Sequence, residues 1–227
     1  MQITGGNFPD FLRQFVPILI DGKDRANRSR RLLVFVMPDY LSVGTNADFL
    51  RIPMRPATAQ RIADTLGLML PTPKIVDEIY KGSQISINPI SMPPSGQMTS
   101  ARYFYEHNRL VEQQLSSYPR GVLVTGPKKD IVITARLLEL PDRVAIYGWH
   151  RINGQPVQRL NLDHDHNYAD YSHGVRLISR HAILDGEGVD LADLIRDDNL
   201  HSLVSNDGIV AINAYDRRSA SRAGFAH

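Results

Sequence analysis

The apolar and polar positions change their spacing along this chain. "RLLVFVM" (Arg31–Met37) is a short run rich in β-branched and aromatic residues and predicts a buried strand, and a second strand is predicted near Phe49–Met54. Helical spacing follows. In "ATAQRIADTLG", Ala59, Ile62, Ala63 and Leu66 repeat at i, i+3, i+4, i+7, with Gly67 as a natural stop. In "PTPKIVDEIYKG", Thr72 is a capping residue, Pro73 suits the first helical position and Gly82 closes. A third helix is predicted over "SARYFYEHNRLVEQQLSSY". There Phe104, Val111, Leu115 and Tyr118 share a face that His107 and Asn108 interrupt.

From Gly121 onward the pattern is that of strands. "GVLVT" and "DIVIT" are expected as neighbours joined by the tight "GPKKD" loop, followed by "RVAIYG", "GVRLI" and "GIVAIN", with a short helix in "GVDLADLIRDD". The fold class expected is α+β, a helical N-terminal half packed on a mainly antiparallel sheet formed largely by the C-terminal half. One domain over 1–215 is expected, with a possible internal boundary in the proline-rich loop 86–100. The segment 216–227 has too little apolar content to pack and reads as a flexible tail.

Composition narrows the chemistry. The 227 residues contain no cysteine, which excludes disulfides, thiolate metal sites and a cysteine nucleophile. A net charge of +2 gives no sign of a polyanion partner. The arginine-rich "DGKDRANRSRR" reads as a solvated hairpin tip, because no aromatic residues are interleaved for base stacking. No nucleic-acid partner is favoured. No apolar run approaches the ~20 residues of a bilayer span, and the first residues lack the pattern of a signal peptide. A soluble chain is expected, with an exported origin left open and the oligomeric state unspecified.

Candidate chemistry concentrates in one region. His150, His164, His166, His173 and His181 are five of the eight histidines. Imidazole serves both proton transfer near neutral pH and metal ligation. A divalent metal such as zinc is one reading, with His150, His164, His166 and His173 as ligands and Asp163 or Asp170 completing the set. No stretch has the spacing of a zinc signature, and no cofactor is favoured. The other reading is metal-free. His150 and His173 move protons, Asp170 orients an imidazole, and Ser172 is nucleophile or oxyanion donor, with Lys129 or His150 as base. Trp149, Lys128, Tyr168 and Arg176 are candidate substrate contacts. Ser172 and His173 are adjacent in an extended segment, so their side chains point apart and cannot pair directly. The strands after Arg143 and Gly174 are expected side by side, bringing His150 and His173 to one end of a sheet.

"VAIYGWH", followed some twenty residues later by "YSHGVRLIS", resembles the catalytic segment of the L,D-transpeptidases. Ser172, His173 and Gly174 match that family's Ser-His-Gly run, and Arg176 stands one place early. The family's cysteine is missing, and Tyr147 occupies the place of its first histidine. The resemblance implies a site at a strand edge and a peptide-like substrate. The "GWH…DYSHG" pattern is also similar to that of bacterial proteins with no attached activity. The function expected is therefore a hydrolase of amide or ester bonds, with cell-wall peptide among the expected substrates. The alternatives are a histidine-ligated metal-dependent hydrolase, or a non-catalytic binding or structural module of a larger exported or phage-type assembly.

Overall fold

A computed structural model describes residues 2–216. Strand β1 (Val16–Lys23) turns back through the arginine-rich tip into β2 (Ser29–Val36). Asn27 adopts a positive φ of 62° in the turn, and the amide of Asp24 donates to the carbonyl of Arg28 at 3.0 Å. A small antiparallel pair follows, β3 (Ser42–Gly44) with β4 (Phe49–Arg51). Next come α1 (Pro56–Leu66), the two-residue β5 (Leu68–Met69) and α2 (Pro73–Gly82). The predicted signals operate here. Gly67 closes α1 in the left-handed conformation that glycine adopts without strain, and Thr72 caps α2 by accepting the amide of Ile75 at 3.2 Å.

Two-residue β6 (Ile85–Ser86) runs parallel to β7 (Val124–Thr125), with α3 (Ala101–Leu115) between them in the chain. Then come β8 (Lys129–Ile131), β9 (Ile146–His150), β10 (Pro156–Asn161), β11 (His173–Gly174), β12 (Ile178–Leu184), β13 (Glu187–Asp190) and the single turn α4 (Leu191–Leu194). The larger sheet has the order β1-β2-β12-β13, with β5 also paired to β12. Its register sets Ile18, Val34 and Ala182 in one row, all buried. The second sheet has the order β10-β9-β8-β11.

The class is α+β, yet strands occur throughout the chain. β1 and β2 come from the first half and build the larger sheet together with β12, so the expected division into a helical half and a sheet half does not describe the molecule. Three local expectations also change. "GVLVT" and "DIVIT" are not a hairpin: β7 pairs with β6, and β8 pairs with β9 and β11. "GIVAIN" joins no ladder. Val210 and Tyr215 are buried instead, and the Tyr215 hydroxyl donates to the carbonyl of Val132 and accepts the amide of Ala145. "GVRLI" is divided, with Gly174 in one sheet and Ile178 in the other.

The 86–100 segment is tied to its surroundings on several sides. The amide of Tyr171 donates to the carbonyl of Met98, His107 Nε2 bonds the carbonyl of Ile90, and the amide of Ile87 donates to the carbonyl of Thr125. Beyond Asp216, the expected tail lies outside the described residues. No helix among the described residues is long and apolar enough to cross a membrane.

A buried ion pair fastens α3 to β4. Arg51 contacts Asp39 through Nε at 3.0 Å and through a terminal nitrogen at 2.5 Å, and its other terminal nitrogen reaches Glu112 at 2.8 Å. The side chains of Arg51 and Asp39 are only 1% and 6% exposed. Asp39 stays ionised although burial opposes it, because the charge and hydrogen bonds of Arg51, the Arg176 charge and the Tyr40 amide together outweigh desolvation. Arg51→Ala strands a buried carboxylate, and urea unfolding is expected to show a loss of about 3–5 kcal/mol. A loss under about 1 kcal/mol would mean that the pair behaves like an exposed bridge.

Candidate functional site

The smaller sheet sets the geometry. Lys129 of β8 pairs with Gly148 of β9 on one side and with His173 of β11 on the other. β9 and β11 are therefore not side by side. β8 separates them, putting them roughly 10 Å apart at ordinary strand spacing. The reason is that β11 runs parallel to β8, so the segment returns beside the "KKD" strand and not beside "IYGWH".

His150 accordingly belongs to a different neighbourhood. Its Nε2 lies 3.0 Å from Asp77 on α2, and its ring stacks on Tyr80 at 4.9 Å. The Tyr147 hydroxyl donates to the same Asp77 oxygen at 2.8 Å. No sequence pattern pointed to Asp77.

The other candidates do meet. His173 is completely buried, and its Nε2 lies 3.9 Å from Asp170 Oδ1. Among the described residues neither of its ring nitrogens has a hydrogen-bond partner. Burial pushes the imidazole down to about 4, although the Asp170 charge opposes the change, so the ring is neutral at pH 7.

Asp170 is well supplied with donors. It accepts the Ser172 amide at 2.8 Å, the Ser172 hydroxyl at 2.6 Å and the Tyr168 hydroxyl at 3.1 Å. Burial opposes its ionisation, but the positive charge that His173 carries when protonated, the Ser172 hydrogen bonds and the Lys129 charge together outweigh this and hold the carboxyl below its usual range. The Ser172 hydroxyl is thus committed to a carboxylate, in a local Asx-like turn.

Tyr168 and His164 cover His173. Their rings stack at 4.2 Å, and Tyr168 meets His173 edge-on at 5.6 Å. His166 turns elsewhere, with Nδ1 3.1 Å from the carbonyl of Asp142. The 163–170 stretch is not extended. Asp165 accepts the amide of Asn167 and turns the chain, so His164 and His166 have different partners. Among the described residues no group of three or more His, Asp or Glu side chains is arranged to hold a metal ion.

Both lysines of "GPKKD" contribute. Lys128 is completely buried and donates to the carbonyl of Tyr171 at 2.5 Å and to His107 Nδ1 at 3.0 Å. His107 Nε2 faces the carbonyl of Ile90 and carries the proton, which leaves Nδ1 as the acceptor. Burial, reinforced by the Arg51 charge, pushes Lys128 down to about 7. Burial and the Lys128 charge push His107 down to about 3. The polar pair that interrupts the α3 stripe was the sequence signal for His107, which is a working part of the buried face.

Lys129 takes the opposite side of the strand, with Nζ 5.3 Å above the Trp149 ring. Trp149 has a φ of 55°, directly after Gly148 at 92°. A left-handed conformation is rare for a bulky aromatic and costs on the order of 1–3 kcal/mol, a strain that concentrates at functional sites.

Arg176 is placed differently from the other candidate contacts. It is completely buried, its terminal nitrogens donate to the carbonyls of Met37 and Val124, and its guanidinium lies 4.4 Å over the Tyr40 ring. Its visible work is to hold backbone. Gly174 is explained by crowding: a Cβ there would meet the Tyr40 ring at 2.5 Å and Lys128 Cβ at 2.6 Å. Compared with protein-family models, curated proteins and solved structures, the chain matches none.

The depressed Lys128 gives a pH signature. Between about 7 and the ordinary 10.5, the unfolded amine holds a proton that the folded one has released, so stability rises with pH across that window. Unfolding measured at successive pH values from 7 to 9 should show this rise, and Lys128→Met should remove a distinct part of it. Equal slopes in the two proteins would place an ordinary charged ammonium at Lys128.

Proposed function

We propose that the protein is a hydrolase of amide or ester bonds in which His173 is the proton-transfer group. The observation that carries this reading is a neutral, buried imidazole beside an ionised carboxylate, with both ring nitrogens unpartnered. Among the described residues nothing consumes the hydrogen-bonding capacity of that ring, as expected of a group whose partner is a reactant.

Asp170 lies on the Nε2 side and favours the tautomer with the proton there. Nδ1 is then the base that takes a proton from attacking water and returns it to the leaving amine or alcohol. Asp170 remains ionised and stabilises the imidazolium in between. Ser172 positions Asp170 through two hydrogen bonds, so water, not Ser172, is the nucleophile in this reading. Lys129 lies over the Trp149 ring and takes no part in proton transfer in this reading.

The His164–Tyr168 stack must move aside to admit a substrate, as a covering loop does. The resemblance of "YSHG" to the L,D-transpeptidase segment supports a peptide-like substrate, and cell-wall peptide is the first to test. His150 with Asp77 stands outside this mechanism.

The test is turnover of His173→Gln and Asp170→Asn on a panel of peptides and esters. His173→Gln is expected to lose about 10²–10⁴-fold in kcat. Folding should be little changed, because no hydrogen-bond partner is left stranded. Asp170→Asn should also lower kcat, but with a larger cost in stability, since it receives several donors. Undiminished turnover in His173→Gln, or none by the unaltered chain on any member of the panel, would overturn the assignment.

A further inference from the structure

We infer that the site binds a carboxylate group of its substrate between Lys129 Nζ and the indole N–H of Trp149. This assigns a substrate class to the hydrolase reading, and it rests on that reading only in placing the scissile bond near the carboxylate.

The argument begins with what these two groups lack. Lys129 is half-buried, and among the described residues its Nζ has neither a hydrogen bond nor an ion pair, only the face of the Trp149 ring. Asp170 is the carboxylate that bears on it electrostatically, but Asp170 already accepts from Ser172 and Tyr168. Trp149 is 4% exposed, and its Nε1 has no partner among the described residues. An indole N–H only donates, so its demand is for an acceptor. A buried donor left alone is costly and rare in folded proteins.

Charge points the same way. Lys128 lies directly behind, and its Nζ bonds a neutral imidazole and a carbonyl, with no carboxylate taking its proton. Lys129 thus faces one aspartate, Asp170, that already accepts three hydrogen bonds from Ser172 and Tyr168. The missing group is a negatively charged acceptor, and a carboxylate has two oxygens, one for each free donor, at charge-assisted distances of about 2.8 Å. The backbone supports this geometry. Consecutive left-handed residues at Gly148 and Trp149 break the alternation of β9 and place the indole under Lys129, where regular pleating would not.

Trp149 is the only tryptophan, so its indole N–H gives a single resonance at the site. The experiment titrates the whole chain with acetate, with neutral acetamide, and with chloride at matched ionic strength, following that resonance by NMR. Acetate should shift it saturably, while acetamide and chloride should not. Lys129→Gln should weaken acetate binding by about 10-fold or more, as expected for a lost charge-assisted bond, and Lys129→Arg should retain much of it. No saturable shift with acetate, or one unchanged in Lys129→Gln, overturns the site.

Turnover of matched peptides, one ending in a free carboxylate and one in an amide, separates this inference from the hydrolase reading. Preference for the free acid, lost in Lys129→Gln mainly through KM, supports both. Equal turnover of the two peptides overturns the substrate assignment and leaves the hydrolase. Saturable acetate binding with no turnover of either overturns the hydrolase and leaves the anion site.

Discussion

A lysine amine buried without a carboxylate to bond ties the candidate site together. Lys128 Nζ reaches His107 on α3 and the carbonyl of Tyr171, while its own backbone leads directly into β8. Three stretches distant in sequence meet at one nitrogen. A charged ammonium is expensive in such surroundings, and burial answers that cost by driving the pKa down. The close approach this requires is visible at Gly174, where any side chain would strike both Lys128 and Tyr40. The glycine of "YSHG" is therefore the condition for Lys128 to lie where it does.

With Lys128 fixed, the rest of the arrangement follows. β8 has room for partners on both sides, and its pairing with β11 puts His173 beside Lys129. The turn built by Asp170 and Ser172 then delivers His173 to a dry position with its nitrogens unused. Burial neutralises His173 and pushes Lys128 down to about 7, yet Asp170 stays ionised because donors and positive charge surround it. A neutral imidazole, a lysine with a depressed pKa and an ionised carboxylate thus coexist in one desolvated cluster, the differentiation by environment on which the proposed acid–base chemistry relies.

Local signals were legible in the sequence, and long-range pairing was not. Thr72, Pro73 and Gly67 announce helix ends because capping is decided within a few residues. The histidine-rich stretch does not form one cluster, since His150 bonds Asp77 and His166 the carbonyl of Asp142 while His164 and His173 lie together. The insertion of β8 between β9 and β11 leaves no periodicity behind, since a strand of three residues, Lys129–Ile131, is too short to show one. Asp77 meets His150 only because α2 packs on β9, which composition does not reveal. Asp185–Gly186, an Asp-Gly pair with φ of 51° and 96°, is a local hairpin signal of the same kind and joins β12 to β13. Conversely, the strand expected at "GIVAIN" failed because apolar content was spent on packing without a partner strand.

The central claim is that His173 is a neutral base held in one tautomer by Asp170. Nitrogen NMR of the histidine rings, with His173 assigned by comparison with His173→Gln, reads protonation and tautomer at each ring nitrogen directly. The account predicts an uncharged ring from pH 5 to 8, protonated at Nε2 and bare at Nδ1, becoming cationic only as the pH approaches about 4. A ring already cationic at pH 6, or one carrying its single proton on Nδ1, would contradict it.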